Sequence, residues 1–201
     1  MVSEVVFHRR EAVRVSEVGI VHPRDAPLPA TAHTPFLTKS ILADRIATIA
    51  QHIAKDYWGK SVQLVPVLQG AIPFSNALVH ELHRLRAQFT VDPVRISSYH
   101  GDMAGTHTLH EDVPKLQENV LIVDGIVDTG ATAKFLLEHF HRRGAKHIGV
   151  CTLLHKKSAT KNLLPLQYVG FDIPDVWIVG FGMDYEQQYR ELPYVAKLRS
   201  S

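Results

Sequence analysis

Apolar residues recur along this chain with two periods. Over residues 40–57, Ile41, Leu42, Ile46, Ile49, Ala50 and Ile53 fall on one helical stripe, and Gly59 follows as a stop signal. Residues 62–68 (VQLVPVL) form a short apolar run with β-branched members, which predicts a strand ending at Gln69-Gly70. Residues 72–86 predict a helix with Pro73 in its first turn, where a missing N–H does no harm. Further strands are predicted over 94–99, 120–123 (VLIV), 147–154 and 176–180, and a helix over 132–143, closed by Gly144. The stretch 100–115 (HGDMAGTHTLHEDVPK) is polar, rich in Gly and His, and has no helical period. Apolar strands alternating with helices predict an α/β fold, with a mostly parallel central sheet covered on both faces.

The front of the chain reads differently. Residues 4–20 alternate apolar and polar positions weakly, as a short edge strand would. Residues 22–35 hold four of the 11 prolines and read as an extended connector. The expected division is therefore an extension and Pro-rich connector over 1–35 and one domain over 36–201. A total of 201 residues is about one domain's worth. No internal repeat is evident.

Composition narrows the function classes. Hydrophobic residues at 45% and charged ones at 21% are ordinary for a globular chain. A net charge of +2, from 22 basic and 20 acidic residues, argues against a sequence-independent nucleic-acid binder. The 13 histidines would raise that charge as pH falls through roughly 6.5. His80 and His83 could share a helix face but find no third ligand, and His139 and His141 do not share one, so solvated histidine is expected. The single cysteine, Cys151, excludes an internal disulfide framework; it fits a reducing compartment and reads as a buried strand residue, not a nucleophile. No apolar run approaches the roughly 18 residues of a membrane span. Glu and Arg interrupt the N-terminal hydrophobics, unlike a signal peptide. A soluble, cytoplasmic protein without membrane or nucleic-acid partners is expected.

In an open α/β sheet, ligands sit at the carboxyl ends of the strands. The most informative strand end is VLIVDGIVDTGAT, residues 120–132. Four buried-type residues deliver Asp124 to the sheet edge, and Asp128, Thr129, Gly130, Ala131 and Thr132 turn into a helix. Gly130 permits a backbone conformation that other residues resist, so several N–H groups can point at one anion. The two threonines add hydroxyl donors and the helix N-terminus adds positive potential. The pattern is a phosphate cradle without GxxxxGK[ST] or GxGxxG. Asp-Gly between hydrophobics could instead close a hairpin, but the second arm is only two residues long.

At these residues the sequence resembles the phosphoribosyl-pyrophosphate (PRPP) motif of type I phosphoribosyltransferases. VPVLQGAIPF (65–74), Ser98-Tyr99, CTLLHKK (151–157) and YVGFDIPDVWIVGFGMDYEQQYRELPY (168–194) narrow the resemblance to the hypoxanthine-guanine phosphoribosyltransferase family, over residue 37 to the C-terminus. The resemblance implies a type I phosphoribosyltransferase fold, with a small hood subdomain formed partly by the C-terminal segment. It implies that Asp128 is the general base facing the purine nitrogen that loses a proton. It implies that residues 128–132 hold the 5′-phosphate, that Asp124 meets the ribose, and that Gln69, Gly70 and Arg190 lie near pyrophosphate. Lys156 would donate to the 6-oxo group, Trp177 would stack on the purine, and Val176 and Ile178 would offer backbone contacts. Asp184 would border the purine and hold Mg²⁺, an ion that takes few carboxylates beside substrate phosphates. Ser98-Tyr99 would open a flap over 100–115. The implied reaction turns hypoxanthine or guanine plus PRPP into IMP or GMP plus pyrophosphate, xanthine being the nearest other base. A homodimer or homotetramer is implied.

Taken alone, several of these residues have plainer readings: Trp177 as core, Lys156-Lys157 as a solvated pair, and Asp184-Tyr185 as a helix cap. Two positions also depart from the family pattern. The second of two adjacent acids after the strand, which contact ribose hydroxyls and help place a first Mg²⁺, is Gly125 here. A lysine common before the first loop glycine is Gln69. These departures favour an alternative, a catalytically weak relative that senses PRPP or a nucleotide.

Overall fold

The computed structural model describes residues 10–14, 33–99, 106–160 and 163–198. Along them run β1 (Val13–Arg14), β2 (His33–Leu37), α1 (Lys39–Asp56), β3 (Val62–Leu68), α2 (Ile72–Arg84), β4 (Phe89–Val91) and β5 (Val94–Tyr99). There follow β6 (Thr106–Glu111), β7 (Asn119–Val127), α3 (Ala131–Arg142), β8 (His147–Lys156), β9 (Leu166–Ile173), β10 (Ile178–Val179) and β11 (Val195–Leu198). The main sheet has the order β1-β9-β8-β7-β3-β5-β6, with β4 also beside β3. Its pairings are parallel except β5–β6. A second sheet, β10-β11-β2, is antiparallel and forms a hood.

Two apolar cores follow from the two-residue period of the central strands. In β3, Val62 and Leu64 enter the core built with α1 and α2, while Val65 and Val67 enter the one built with α3. In β7, Leu121 and Val123 face the first core and Val120 and Ile122 the second. Helix α1 buries Leu42, Ile46, Ile49, Ala50 and Ile53, and its N-terminus is capped by Thr38, whose hydroxyl accepts from the Ile41 N–H. On the opposite face α3 buries Ala133, Leu136 and Phe140. Each buried Leu or Phe contributes about 1.5–3 kcal/mol, so both faces anchor the strand ends that carry the chemistry.

Several elements differ from the sequence reading. The connector expected over 22–35 gives way by His33 to β2, whose partner β11 is distant in sequence. The edge strand expected over 4–20 is described at Val13–Arg14, parallel to β9; residues 1–9 and 15–32 lie outside the described residues. Arg45 fastens it, donating to the carbonyls of Gly170 and Val169 at 2.8 Å and to that of Glu11. The polar stretch 100–115 contains β6, recruited by the edge of β5 despite its composition. The strand read as 120–123 runs on to Val127, with Asp124 paired against Thr152 and Val127 against His155, which excludes the hairpin at Asp124-Gly125. Asp124 is therefore within the sheet, not past its edge. Helix α2 ends at Arg84, and β4, β9 and β11 lacked a clear apolar period. Cys151 is fully buried, and burial pushes its thiol up, away from reactivity.

Candidate functional site

The carboxyl ends of β3, β7 and β8 meet the hood at a cleft of about 200 Å³. Gly70 comes from the turn after β3, Ile126 and Asp128 from β7 and the turn after it, and Lys156 from the end of β8. The hood contributes Trp177, Ile178, Met183, Asp184 and Arg190. Of the residues expected in the site, Gly70, Asp128, Lys156, Trp177, Ile178, Asp184 and Arg190 converge here.

Lys156 is the buried centre of the group. Its Nζ lies 2.8 Å from Asp128 Oδ2 and 3.2 Å from Asp175 Oδ1. The Lys156 side chain is only 8% exposed, which contradicts the reading of Lys156-Lys157 as a solvated pair, whereas Asp128 is open to solvent. A buried ammonium needs such partners, because an unpaired one would carry a desolvation penalty of several kcal/mol. Asp175 was missed by the sequence reading, although it stands in the quoted segment IPDVW. Ile126 and Met183 were missed too, and only the alternation of β7 and the neighbour Asp184 point to them.

Trp177 is 59% exposed, not core, and meets Tyr185 edge-on at 5.9 Å between ring centroids. Two tight turns, bridged Gly180–Met183 and Tyr185–Gln188, carry the hood residues between β10 and β11. Asp184 does not cap a helix: it accepts from the Gln187 N–H at 2.9 Å and pairs with Arg190 at 2.6 Å. Arg190 also donates to the Gly182 carbonyl at 2.8 Å. Val176 is half-buried beside Trp177, and its N–H is taken by the Pro174 carbonyl.

The turn after β7 has the shape expected of an anion cradle. Gly130 has φ +82°, a conformation strained for any residue with a Cβ, and a Cβ there would press on Leu164 Cδ1 at 2.8 Å. It leads into α3 as an N-cap without a side chain, at the helix end whose first N–H groups lack intrahelical partners. The Thr129 hydroxyl accepts from the Ala131 N–H at 3.4 Å, and the Thr132 hydroxyl meets His107 Nε2 at 3.2 Å. Ser98 and Tyr99 lie at the end of β5, in register with His107 and Thr106, while residues 100–105 of the flap lie outside the described residues.

The other side of the cleft departs from the expected pattern. Asp124 is half-buried and is not among the residues that line the cleft; burial pushes its carboxyl up to about 7, against the lowering effect of the Ile126 and Gly125 N–H groups. Gly125 does not have positive φ. Instead the Gly70 carbonyl fills its side-chain space: a Cβ on Gly125 would stand 2.9 Å from that oxygen. Gly182 closes the same slot from the hood, where a Cβ would stand 2.1 Å from it. Three glycines thus interlock the turn after β3, the middle of β7 and the hood. Gln69, just before the slot, is exposed.

Residues 36–186 match the family model described as a phosphoribosyl transferase domain. The chain belongs to that family. It is 34% identical over 169 residues to the hypoxanthine-guanine phosphoribosyltransferase of Dictyostelium discoideum, covering 82% of this chain and 94% of the relative. The corresponding protein of Streptococcus pneumoniae is 36% identical over 155 residues, covering 75% and 84% of the two chains. Among solved structures, a hypoxanthine-guanine phosphoribosyltransferase of Bacillus anthracis, with HEPES in its active site, superposes with a TM-score of 0.76 at 32% identity. That match covers 82% of this chain and 98% of the other. The hypoxanthine phosphoribosyltransferase of Trypanosoma cruzi gives 0.80 at 28% identity, covering 88% and 95%.

Proposed function

We infer that this chain is a purine phosphoribosyltransferase, forming IMP or GMP from hypoxanthine or guanine and PRPP with release of pyrophosphate. The observation that carries the reading is the Asp128–Lys156 contact at the floor of the cleft, between an anion cradle and an exposed tryptophan. The new bond joins a purine ring nitrogen to the anomeric carbon as the bond from that carbon to pyrophosphate breaks. Asp128 accepts the proton the purine nitrogen loses, and a positioned base of this kind contributes about 10²–10⁴-fold. Lys156 donates to the 6-oxo oxygen, Trp177 covers the ring, and Val176 and Ile178 line its edge. The Thr129, Gly130, Ala131 and Thr132 backbone holds the 5′-phosphate, with the hydroxyls of both threonines. Asp124 accepts from the ribose hydroxyls, and Gln69, Gly70 and Arg190 face the pyrophosphate. Ser98 and Tyr99 begin the flap.

Asp184 would hold Mg²⁺. Its carboxylate stands in the cleft wall, and a single carboxylate suits an ion whose remaining ligands would be water and substrate phosphates. The ion would supply charge neutralisation to the leaving group. A cytoplasmic homodimer or homotetramer completes the reading; none of the helices is long and apolar enough to cross a membrane among the described residues.

The test is pyrophosphate release with PRPP, Mg²⁺ and hypoxanthine, guanine or xanthine in turn. Turnover with at least one base, dependent on PRPP, is expected. A second reading, a PRPP or nucleotide sensor with weak turnover, is favoured by one feature, the Gly70 carbonyl where a second acid would stand. Tight nucleotide binding without pyrophosphate release would select that reading.

A further inference from the structure

Strand β6 lies along one stripe of α3. Residues Thr132, Phe135, His139 and Arg143 recur at three- and four-residue spacing and so share a helix face. His107 Nε2 is 3.2 Å from the Thr132 hydroxyl, and its ring stacks on Phe135 at 5.4 Å with a 17° tilt. Phe135 stacks in turn on His139 at 6.2 Å. At the far end, Asp112 takes His139 Nε2 at 2.8 Å and Arg143 at 2.8 Å. From His107 to Asp112 an extended chain spans about 17 Å. From Thr132 to Arg143 the helix rises about 16 Å, so the strand's two polar contacts match the stripe's two ends.

We propose that His107 is a positioning residue for the 5′-phosphate, acting through the Thr132 hydroxyl. A threonine hydroxyl has one hydrogen to donate. When His107 Nε2–H donates to the Thr132 oxygen, that hydrogen is left for the phosphate. The opposite arrangement, with the hydroxyl donating to a bare ring nitrogen, takes it away. An anion in the cradle favours the first arrangement, because only it presents a donor to the negative charge. The clamp at Asp112 sets the register that brings His107 against the first turn of α3.

The inference rests on the proposed phosphoribosyl reading of the cradle and assigns it a residue from another strand. Two variants separate the hydrogen bond from the stack. His107→Phe keeps a ring against Phe135 and removes the N–H, whereas His107→Gln supplies an N–H at similar reach without a ring. The expected result for His107→Phe is a PRPP KM raised about three- to tenfold, with kcat and the hypoxanthine KM within twofold, and the same loss in calorimetric affinity for ribose 5-phosphate. His107→Gln should recover most of that affinity. A His107→Phe protein matching the parent in PRPP KM, or a His107→Gln protein as impaired as His107→Phe, overturns the proposal. A parent protein that binds ribose 5-phosphate but turns over no purine defeats the functional reading alone, since the binding series still reads His107. A parent that does not bind ribose 5-phosphate overturns both.

Discussion

Two carboxylates on one strand end have opposite surroundings. Asp124 and Asp128 stand four residues apart, Asp124 within β7 and Asp128 in the turn just past its end. Asp128 is open to solvent and held by the Lys156 ammonium at 2.8 Å. Asp124 is half-buried, has backbone N–H groups as its counterweight, and is pushed up to about 7 by burial. Past Asp128 the chain turns through Gly130 into α3, whereas beside Asp124 a glycine leaves a side-chain space that the Gly70 carbonyl fills. The comparison teaches that a strand end positions acids without deciding what they do. The Asp128 side is defined by a charge partner, and the Asp124 side by close backbone packing.

The sharpest way to break this comparison is Asp128→Asn. The cradle's backbone donors remain while the proton acceptor is lost, so turnover should fall about 10²–10⁴-fold with nucleotide binding largely retained. Turnover within threefold of the parent, measured by pyrophosphate release, would remove Asp128 from proton transfer. Next in size is base discrimination. Adenine presents an amino group, itself a donor, and leaving the third N–H of the buried Lys156 ammonium without an acceptor should make adenine at least about 100-fold poorer than hypoxanthine in kcat/KM. Equal rates with the two bases would detach Lys156 from base selection.

Gly125 probes the other side. Restoring an acid there looks favourable from the sequence, because a charge-assisted bond to a ribose hydroxyl contributes about 1.5–3 kcal/mol. The Gly70 oxygen at 2.9 Å reverses the expectation, since backbone must move to admit even a methyl group. Gly125→Ala and Gly125→Asp should both lower stability by about 1–3 kcal/mol, a Tm drop of roughly 2–12 °C, and both should raise the PRPP KM. Unchanged Tm in Gly125→Ala, together with a lowered PRPP KM in Gly125→Asp, would show that the slot opens freely.

The smallest effect concerns Asp124 and pH. Its folded-state value near 7 lies above the unfolded value near 3.9, so the folded protein holds the proton more tightly between those limits. Stability without substrate therefore falls as pH rises from about 4 to 7 on this group's account. Asp124→Asn should be more stable than the parent at pH 8 by about 1–2 kcal/mol, after allowance for partial exposure, and the gap should be clearly smaller at pH 5. Thermal melts at both pH values check it; a gap of equal size at pH 5 would assign the effect to packing.

The sequence alone carried the alternation that sets two cores on either side of β3 and β7, the Pro73-marked start of α2, and the glycine that turns Asp128 into α3. These features are local: a two-residue or 3.6-residue period, or a backbone conformation that one residue type tolerates, is written in neighbouring positions. It also carried seven of the residues lining the cleft, through the segments that bear the resemblance. Tertiary structure alone decided that β6 forms from a polar, histidine-rich stretch, because the edge of β5 supplies its hydrogen bonds. It decided that His33 starts a hood strand, because its partner β11 lies at the other end of the chain. It placed Asp175 beside Lys156 and the Gly70 carbonyl against Gly125. Each of these depends on a distance between elements far apart in sequence, and no pattern within a single element encodes such a distance.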